Sequence, residues 1–232
     1  MKILSGVAIG LLLLSAFCPA ASAGKDIYFV GGLNLANLSG DADQFGDALA
    51  DTLESQVGGT WTSSKSIRVG FDGGIGFGYW GSGALGGAIE LHYASRGVKW
   101  DINEQSGSGI KLDAKLKLDY VEIPVLLQVS PSSPSKVHGQ FLVGPVLGIR
   151  ASSKFDVEGG GGASSTDISD DMKSTYFGGL AGAGIRIQTQ PGSAVLLQAR
   201  FLLGFTNLVD DPDFNVKPQD FTFLAGYSIG LK

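Results

Sequence analysis

Cysteine is nearly absent from this sequence, and its scarcity excludes disulfide bonds within the chain. The chain of 232 residues has one cysteine, Cys18, together with 8 prolines and 2 histidines. A lone cysteine forms no internal disulfide. Long apolar runs are missing too: beyond the N-terminal segment, no run of about 18 apolar residues is available to form a membrane-spanning helix.

Positive charge is also in short supply. The formal net charge is −5 at pH 7, and an acidic surface argues against binding nucleic acid and against electrostatic docking on anionic lipid. Glycine is abundant, with 36 residues. It follows no strict triplet period, which excludes a collagen-like helix.

The N-terminus predicts a secretory signal peptide. Lys2 precedes an apolar run over residues 3–17, and a small-residue cleavage site follows at residues 21–23, ASA. We therefore expect residues 1–23 to be removed and residues 24–232 to form the mature domain. That domain has no cysteine and a net charge of −6, because Lys2 is lost. A lipoprotein anchor at Cys18 is disfavoured by the bulky Phe17 that precedes it.

Residues 119–129, DYVEIPVLLQV, have the strand pattern on which the fold prediction rests. Successive side chains of an extended strand point to opposite sides. One side is continuously apolar and holds Val121, Ile123, Val125, Leu127 and Val129. The other side is mixed and holds Tyr120, Glu122, Pro124, Leu126 and Gln128. A soluble sandwich or lipocalin-like barrel would turn the apolar side to a core, whereas a membrane barrel would turn it to lipid.

Eight segments alternate in this way. Their connections run long, short, long, short, long, short and then intermediate: residues 38–66, 81–84, 101–112, 130–136, 151–174, 189–193 and 209–219. This order places the long loops at one end, as in outer-membrane barrels. The sequence therefore predicts an all-β fold, an eight-stranded antiparallel up-and-down transmembrane β-barrel. One short helix is predicted in the first long connection, over residues 47–56.

The polar sides of these strands carry charges that are spaced by glycines. In a closed eight-stranded barrel they point into a narrow lumen, where glycine leaves room and opposite charges pair. On the surface of a soluble sandwich, so many glycines would weaken the strands without benefit. We predict a lumen charge network of seven residues: Arg68, Asp72, Glu90, His92, Glu122, Arg186 and Arg200. The same faces also hold Arg96, Gln140 and Gln198.

Some residues fit a barrel less simply. Lys117 and Asp119 share the side of Val121, and a lysine at the bilayer midplane would cost about 2–4 kcal/mol, so we expect them above the bilayer or beside a bulge. Pro124 and Pro145 lack the N–H of a doubly paired strand, so we expect bulges or positions near the membrane edge. Aromatic residues near strand ends are expected in interfacial belts, namely Phe29, Tyr79, Trp80, Tyr93, Trp100 and Phe221.

Three motifs carry a resemblance to a known family. GLNLANLSGD at residues 32–41, DYVEIPVLLQV at 119–129 and FLVGPVLGI at 141–149 are similar to the outer-membrane beta-barrel domain family. These are porin-like small barrels of Bacteroidetes and related Gram-negative bacteria. The resemblance spans essentially the whole mature chain and implies an eight-stranded barrel in the cell outer membrane, surrounded by outer-membrane lipid.

The C-terminus implies a second partner. GYSIGL at residues 226–231 resembles the signal by which the barrel assembly machinery recognises last strands during insertion. Such strands usually end in an aromatic residue, whereas this one ends in Leu231 and Lys232.

Candidate catalytic patterns are better explained structurally. Glu90 and Glu122 form a carboxylate pair of the kind that supports acid–base catalysis, but neutralising lumen arginines is the favoured interpretation. His92 suggests a membrane hydrolase, yet its neighbour Ser95 lies on the opposite strand face. We therefore expect no catalytic residue.

Candidate ligand patterns are equally weak. The glycine runs lack the helix that follows a phosphate loop. A calcium loop starting at Asp41 fails because Phe45 and Thr52 stand where oxygen ligands belong. The acidic clusters at residues 170–171 and 210–213 favour solvated loops over a divalent-cation site. We expect no metal and no cofactor.

Three functions remain open from sequence. The leading hypothesis is a structural or surface-interaction role through the long external loops, with a lumen plugged by charged side chains. The second is porin-like passage of small solutes. The third, less favoured, is a lipid-modifying enzyme. No nucleic-acid partner is expected, and the residues do not identify the partner of the loops.

Overall fold

The structure, a computed structural model, describes residues 24–81, 83–107, 109–131, 135–209 and 214–231. The predicted signal peptide and the acidic cluster at 210–213 lie outside these ranges. The described chain forms the following elements: β1 (Gly24–Gly40), α1 (Ala42–Val57), β2 (Trp61–Ser66), β3 (Arg68–Trp80), β4 (Leu85–Glu104), β5 (Lys111–Val129), β6 (Val137–Gly159), β7 (Gly162–Asp167), a 3-10 turn (Ser169–Asp171), β8 (Thr175–Gln190), β9 (Ser193–Gly204) and β10 (Val216–Leu231). No helix in these ranges is long and apolar enough to cross a bilayer.

Eight of the strands close into a ring. The order is β1, β3, β4, β5, β6, β8, β9, β10 and back to β1, and every neighbouring pair is antiparallel. This order confirms the predicted eight-stranded antiparallel up-and-down barrel. The connections at residues 81–84, 130–136 and 191–192 lie at one end of the ring, the turn end. The other four connections lie at the opposite end, which we call the loop end.

Alternation along the strands separates an apolar outer surface from a charged inner one. On β3, Phe71 is 54% exposed, whereas the adjacent Asp72 is 4% exposed. On β4, Leu91 is 51% exposed, whereas Glu90 and His92 on either side of it are 2% and 3% exposed. The rows of Val, Ile, Leu and Phe thus face away from the barrel interior. A water-soluble barrel would bury them, so the soluble alternative is wrong.

The polarity of the two faces reverses within β5. From Val121 to the end of the strand, the outward positions are aliphatic. Before it, the outward positions are charged, namely Asp113, Lys115, Lys117 and Asp119, and the inward positions are Ala114, Leu116 and Leu118, which are buried. Side chains alternate between the two faces along the whole of β5, so the same face points outward throughout and only its surroundings change. Lys117 pairs with Asp156 at 2.5 Å, and Asp119 accepts a hydrogen bond from Ser95 at 2.7 Å.

The charged half of β5 belongs to a sheet that extends beyond the ring. β2 pairs with residues 99–104 of β4, and β7 pairs with residues 154–159 of β6, which gives the order β2, β4, β5, β6, β7 at the loop end. We call this the protruding sheet. Its outer face carries ion pairs between Lys99 and both Asp101 and Asp113, and between Lys115 and Glu158. A charged outer face places this sheet clear of the hydrocarbon.

α1 packs against the apolar inner face of the protruding sheet. It begins before the predicted residues 47–56 because Ala42 and Gly46 are buried against Trp100, whose indole N–H donates to the Ala42 carbonyl at 3.0 Å. Phe45 adds ring contacts with Trp100 and Phe155, at centroid distances of 5.2 and 5.7 Å. The prediction that Trp100 lies in an interfacial belt is therefore wrong, since its inward position faces α1.

Strand pairing lapses near both prolines that looked awkward in a closed barrel. The β4–β5 register runs from Ile89 opposite Val125 to His92 opposite Glu122 and skips the residues between them, so Pro124 pairs with Val146 of β6 but not with β4. The β5–β6 register likewise skips the residues around Pro145. A Cβ on the neighbouring Gly144 would lie 1.9 Å from the Val125 carbonyl oxygen, so glycine is required for this close approach.

Candidate functional site

A carboxylate–guanidinium pair occupies the centre of the lumen. Glu90 on β4 and Arg200 on β9 both hold inward positions because they fall on the non-aliphatic side of their strands. The guanidinium donates to the two oxygens of Glu90 at 2.6 and 2.9 Å. The Tyr28 hydroxyl on β1 donates to the same carboxylate at 2.5 Å. These three side chains come from three different strands of the barrel and meet inside it.

His92 lies between two carboxylates. Its Nδ1 is 2.6 Å from Oδ1 of Asp72 on β3, and its Nε2 is 3.0 Å from Oε2 of Glu90. Both ring nitrogens of His92 thus lie close to a carboxylate oxygen, and the ring connects β3 to the Glu90–Arg200 pair.

A second cluster lies nearer the loop end. Arg96 on β4 donates to both oxygens of Glu122 on β5, at 2.7 and 2.6 Å, and its third nitrogen is 3.0 Å from Asp220 on β10. The Tyr176 hydroxyl on β8 donates to Glu122 at 2.5 Å. Arg96 is also 3.7 Å from Asp72, which connects the two clusters. Removal of such groups from water is costly unless opposite charges are paired, and Arg96 here lies between the carboxylates of Glu122 and Asp220.

A chain of amides completes the polar lining. Arg200 donates to Gln198, Gln198 to Gln140 at 3.2 Å, and Gln140 to Gln128 at 3.0 Å. Gln128 approaches the Tyr28 hydroxyl at 3.4 Å. The amides thus connect β9, β6 and β5 across the barrel and return to the tyrosine that binds Glu90.

Two of the seven predicted network residues lie elsewhere. Arg186 pairs with Asp26 at 2.6 Å and stacks over Trp80 at 5.6 Å, forming a separate cluster toward the turn end. Arg68 stands at the junction of β2 and β3, and its guanidinium donates to the backbone carbonyl of Arg96. The carboxylates of Asp119 and Asp156 on the charged outer face are the ones that act electrostatically on Arg68. Arg68 does not join the lumen cluster because it lies at the start of β3, where the strand pairs with β1 but not yet with β4.

The other five predicted residues come together, and the structure adds partners that were not in the predicted network. Asp72, Glu90, His92, Glu122 and Arg200 are joined by Arg96, Tyr28, Tyr176 and Asp220. Arg96 and Tyr176 were recognisable as members of polar strand faces. Tyr28 and Asp220 were not, because a tyrosine among aliphatics and an aspartate after a polar loop have several equally good placements.

Glycines make room for the two lumen tyrosines. A Cβ on Gly76 would lie 2.2 Å from Cζ of Tyr28, and one on Gly148 would lie 2.0 Å from Cε1 of Tyr176. Each tyrosine lies over the glycine that is paired with it on the adjacent strand. The glycine-spaced polar faces thus allow large side chains to fill the lumen.

This arrangement is suited to closing the lumen. Glu90, Glu122 and Asp220 each lie within 3.0 Å of an arginine nitrogen, and the Glu90, Arg96 and Arg200 side chains are 3% exposed or less. The Ser95 hydroxyl lies on the outer face with Asp119, apart from His92 in the lumen. No serine–histidine pair is therefore formed by these two residues.

Comparison with known proteins gives one family and a set of similar folds. The family described as "Outer membrane protein beta-barrel domain" matches residues 25–210. Curated proteins give no match.

Several solved structures are similar in fold. Neisserial surface protein A is 12% identical, with 90% of this chain and 99% of that chain covered and a TM-score of 0.44. Ail, the attachment invasion locus protein of Yersinia pestis, is 14% identical, with coverages of 89% and 99% and a TM-score of 0.39. OprG from Pseudomonas aeruginosa is 10% identical, with coverages of 91% and 98% and a TM-score of 0.44.

Proposed function

Because the chain belongs to the outer membrane protein beta-barrel domain family, we propose that it serves a structural or surface-interaction role through its loop end, with a lumen closed to solutes. The protein resides in the cell outer membrane, and its aliphatic outer surface contacts outer-membrane lipid. We propose that the loop end faces outward from the cell, as the long loops of outer-membrane barrels do. We also propose that residues 1–23 direct export and that the barrel assembly machinery inserts the mature chain.

The observation that carries the closed lumen is the pairing of Glu90 with Arg200 across its centre. An eight-stranded barrel has room for its own side chains and little else. Here that room is taken by two ionic clusters, an amide chain and buried leucines such as Leu142 and Leu196. Passage of solutes would require several buried ion pairs to separate, so we favour a plug over a pore.

The protruding sheet supports the surface role. α1 and the protruding sheet share an apolar core beyond the lipid-facing band, so the loop end is a packed structure. The exposed side of α1 carries Asp43, Asp47, Asp51 and Glu54, and α1 contains no lysine or arginine. Ordered, charged structure outside the bilayer is suited to binding a partner. We propose no catalytic activity.

Planar-bilayer recording tests the closed lumen. Purified mature protein should give no single-channel events, because the lumen ion pairs are too costly to break under a modest voltage. Well-resolved conductance steps that change in size on replacing Arg200 with alanine would overturn the plug and support passage of small solutes.

Complementation of a deletion strain tests the surface role. The parent chain should restore attachment of intact cells to surfaces or to each other, and a chain with Asp47→Asn and Asp51→Asn on α1 should restore it incompletely. Small-solute uptake should be equal in all strains. A deletion that impairs uptake and leaves attachment unchanged would contradict this role.

A further inference from the structure

The protruding sheet has two edges, and they differ in how well they are protected from pairing with a strand of another chain. We infer that the free edge of β7 is a docking edge for an extended segment of a partner protein, which adds to the sheet as a further antiparallel strand. This inference rests on the proposed surface-interaction role and specifies where the contact is made. An unpaired strand edge presents a row of backbone donors and acceptors that invites such pairing.

The β2 edge is protected. Lys65 on β2 reaches across to the Leu38 carbonyl at 3.2 Å and to Asp43 at 3.0 Å. α1 also packs against this strand, with Gly46 close to Ser63. A lysine on an edge strand and a covering helix are two of the devices that keep a sheet edge from pairing with another chain.

The β7 edge has none of these protections within the described residues. All six residues of β7, GASSTD, are exposed, and the strand pairs with β6 alone among the described strands. Its sequence contains no lysine and no proline, and its register with β6 is continuous from Gly159 opposite Gly162 to Lys154 opposite Asp167. Within the described residues, the edge is therefore regular and open.

The hairpin geometry identifies which backbone groups are free. Gly160 and Gly161 form a two-residue turn with φ of 60° and 89°, which makes Gly159 and Gly162 a hydrogen-bonded pair. Every second residue then bonds to β6, and the N–H of Ile168 does donate to the Ser153 carbonyl. The N–H and C=O groups of the intervening residues, Ala163, Ser165 and Asp167, consequently point to the open edge.

The two faces of β7 specify the chemistry of the incoming strand. Gly162, Ser164 and Thr166 share a face with Phe155 and Val157 of β6, which are apolar and partly buried. The other face continues the charged row of β6 and ends in Asp167 at the open edge. Asp167 at the edge, with Asp156 and Glu158 one strand further in, favours basic residues on that face of the partner strand. On the other face, the small side chains of Gly162, Ser164 and Thr166 leave room for apolar residues beside Phe155 and Val157, so the partner strand should alternate apolar and basic residues.

A second copy in the same membrane does not fit this edge. Two copies in one bilayer are related by an axis along the membrane normal, so their β7 strands would point the same way. Neighbouring parallel strands of a sheet repeat by translation, which a two-fold axis does not supply. A copy in a facing membrane would offer GASSTD, which has none of the basic residues that this edge favours, so we assign the edge to a segment of a different protein.

The test uses a synthetic strand as probe, acetyl-Val-Lys-Val-Lys-Val-Lys-amide, and the complete mature protein in phosphatidylcholine nanodiscs. Hydrogen exchange of individual β7 amides is followed with and without peptide. At a peptide concentration about ten times its Kd, exchange at Ala163, Ser165 and Asp167 should slow about tenfold. Exchange at Gly162, Ser164 and Thr166, already bonded to β6, should change little. A control peptide with proline at its third position should have no effect.

Two edge variants and one matched control complete the test. Ala163→Pro removes an edge donor and Ala163→Lys places a repelling charge there, so both should abolish the protection, whereas Ala163→Ser should retain it. Ala163→Lys retains the backbone hydrogen bonds between β6 and β7. It therefore still tests the inference if Ala163→Pro unfolds the hairpin. The inference would be overturned if the peptide left the exchange of the edge amides unchanged, or if both edge variants bound the peptide as well as the parent does. It would also be overturned if a dimer of the protein already protected these amides without peptide. Conductance in bilayers would instead overturn the closed lumen and leave this result standing.

Discussion

Glu90 and Arg200 lie 110 residues apart in the chain and form a two-point ion pair across the lumen, with N–O distances of 2.6 and 2.9 Å. Replacing Glu90 with glutamine should leave the Arg200 guanidinium buried without its counter-charge. Breaking a buried pair by removing one partner costs about 3–5 kcal/mol. Urea-induced unfolding in lipid vesicles, read by the mobility difference between folded and unfolded protein on gels, measures this loss. A Lys115→Ala variant on the charged outer face is the control and should unfold like the parent.

The outward aliphatic rows predict that the stability cost of introducing a lysine depends strongly on its depth in the bilayer. Ile75 on β3 is 41% exposed and pairs with Phe29 and Leu91, which are also outward. Replacing Ile75 with lysine should cost about 2–4 kcal/mol, the penalty for a lysine near the bilayer midplane. Ser64→Lys on β2, in the protruding sheet, should cost little. Equal stabilities of the two variants in vesicles would show that the aliphatic surface does not face hydrocarbon.

The packing of α1 against the protruding sheet depends on a glycine. A Cβ at Gly46 would lie 2.4 Å from Oγ of Ser63 and 2.5 Å from Cδ1 of Trp100. Gly46→Ala should therefore push α1 from the protruding sheet, with a local cost of about 1–3 kcal/mol. Limited proteolysis should cleave α1 faster while the barrel keeps its folded gel mobility. Gln56→Ala, at an exposed position of the same helix, should leave the cleavage rate unchanged.

The ion pairs of the protruding sheet predict an acid-sensitive contact. Hydrogen bonding from Lys99 holds the pKa of Asp101 below its usual range. A lowered folded-state pKa means that the contact contributes above the ordinary aspartate pKa of about 3.9 and is lost as pH falls through the lower folded-state value. In an NMR titration, Lys99→Ala should move the Asp101 midpoint upward and Lys99→Arg should largely preserve it. Because Asp101 is partly exposed, the change in overall stability should be small.

Much of the fold follows from alternation alone. The apolar and mixed sides predicted for residues 119–129 are the outward and inward sides of β5, and the strand order follows from the alternating lengths of the connections. The first long connection was only partly anticipated, because β2 is six polar residues, WTSSKS, whose pairing with β4 has no apolar signature.

The candidate site was less accessible from sequence. Inward charges are recognisable one strand at a time, but Arg68 shows that a charge at the start of a strand can find partners outside the lumen cluster. Trp100 shows a related limit, since an aromatic near a strand end suits a lipid interface or a packed interior equally well. Its contact with Ala42 of α1 decides between the two.

The sequence by itself determined which side chains share a face of each strand, because that depends only on the two-residue period of extended backbone. Tertiary structure alone decided which carboxylate meets which cation, since the stagger of the closed ring brings Glu90 to Arg200 and Glu122 to Arg96. It also decided where the inside of the sheet becomes apolar. The change from a charged to an apolar inner face depends on where the strands leave the hydrocarbon and meet α1. This is a long-range arrangement that no local pattern contains.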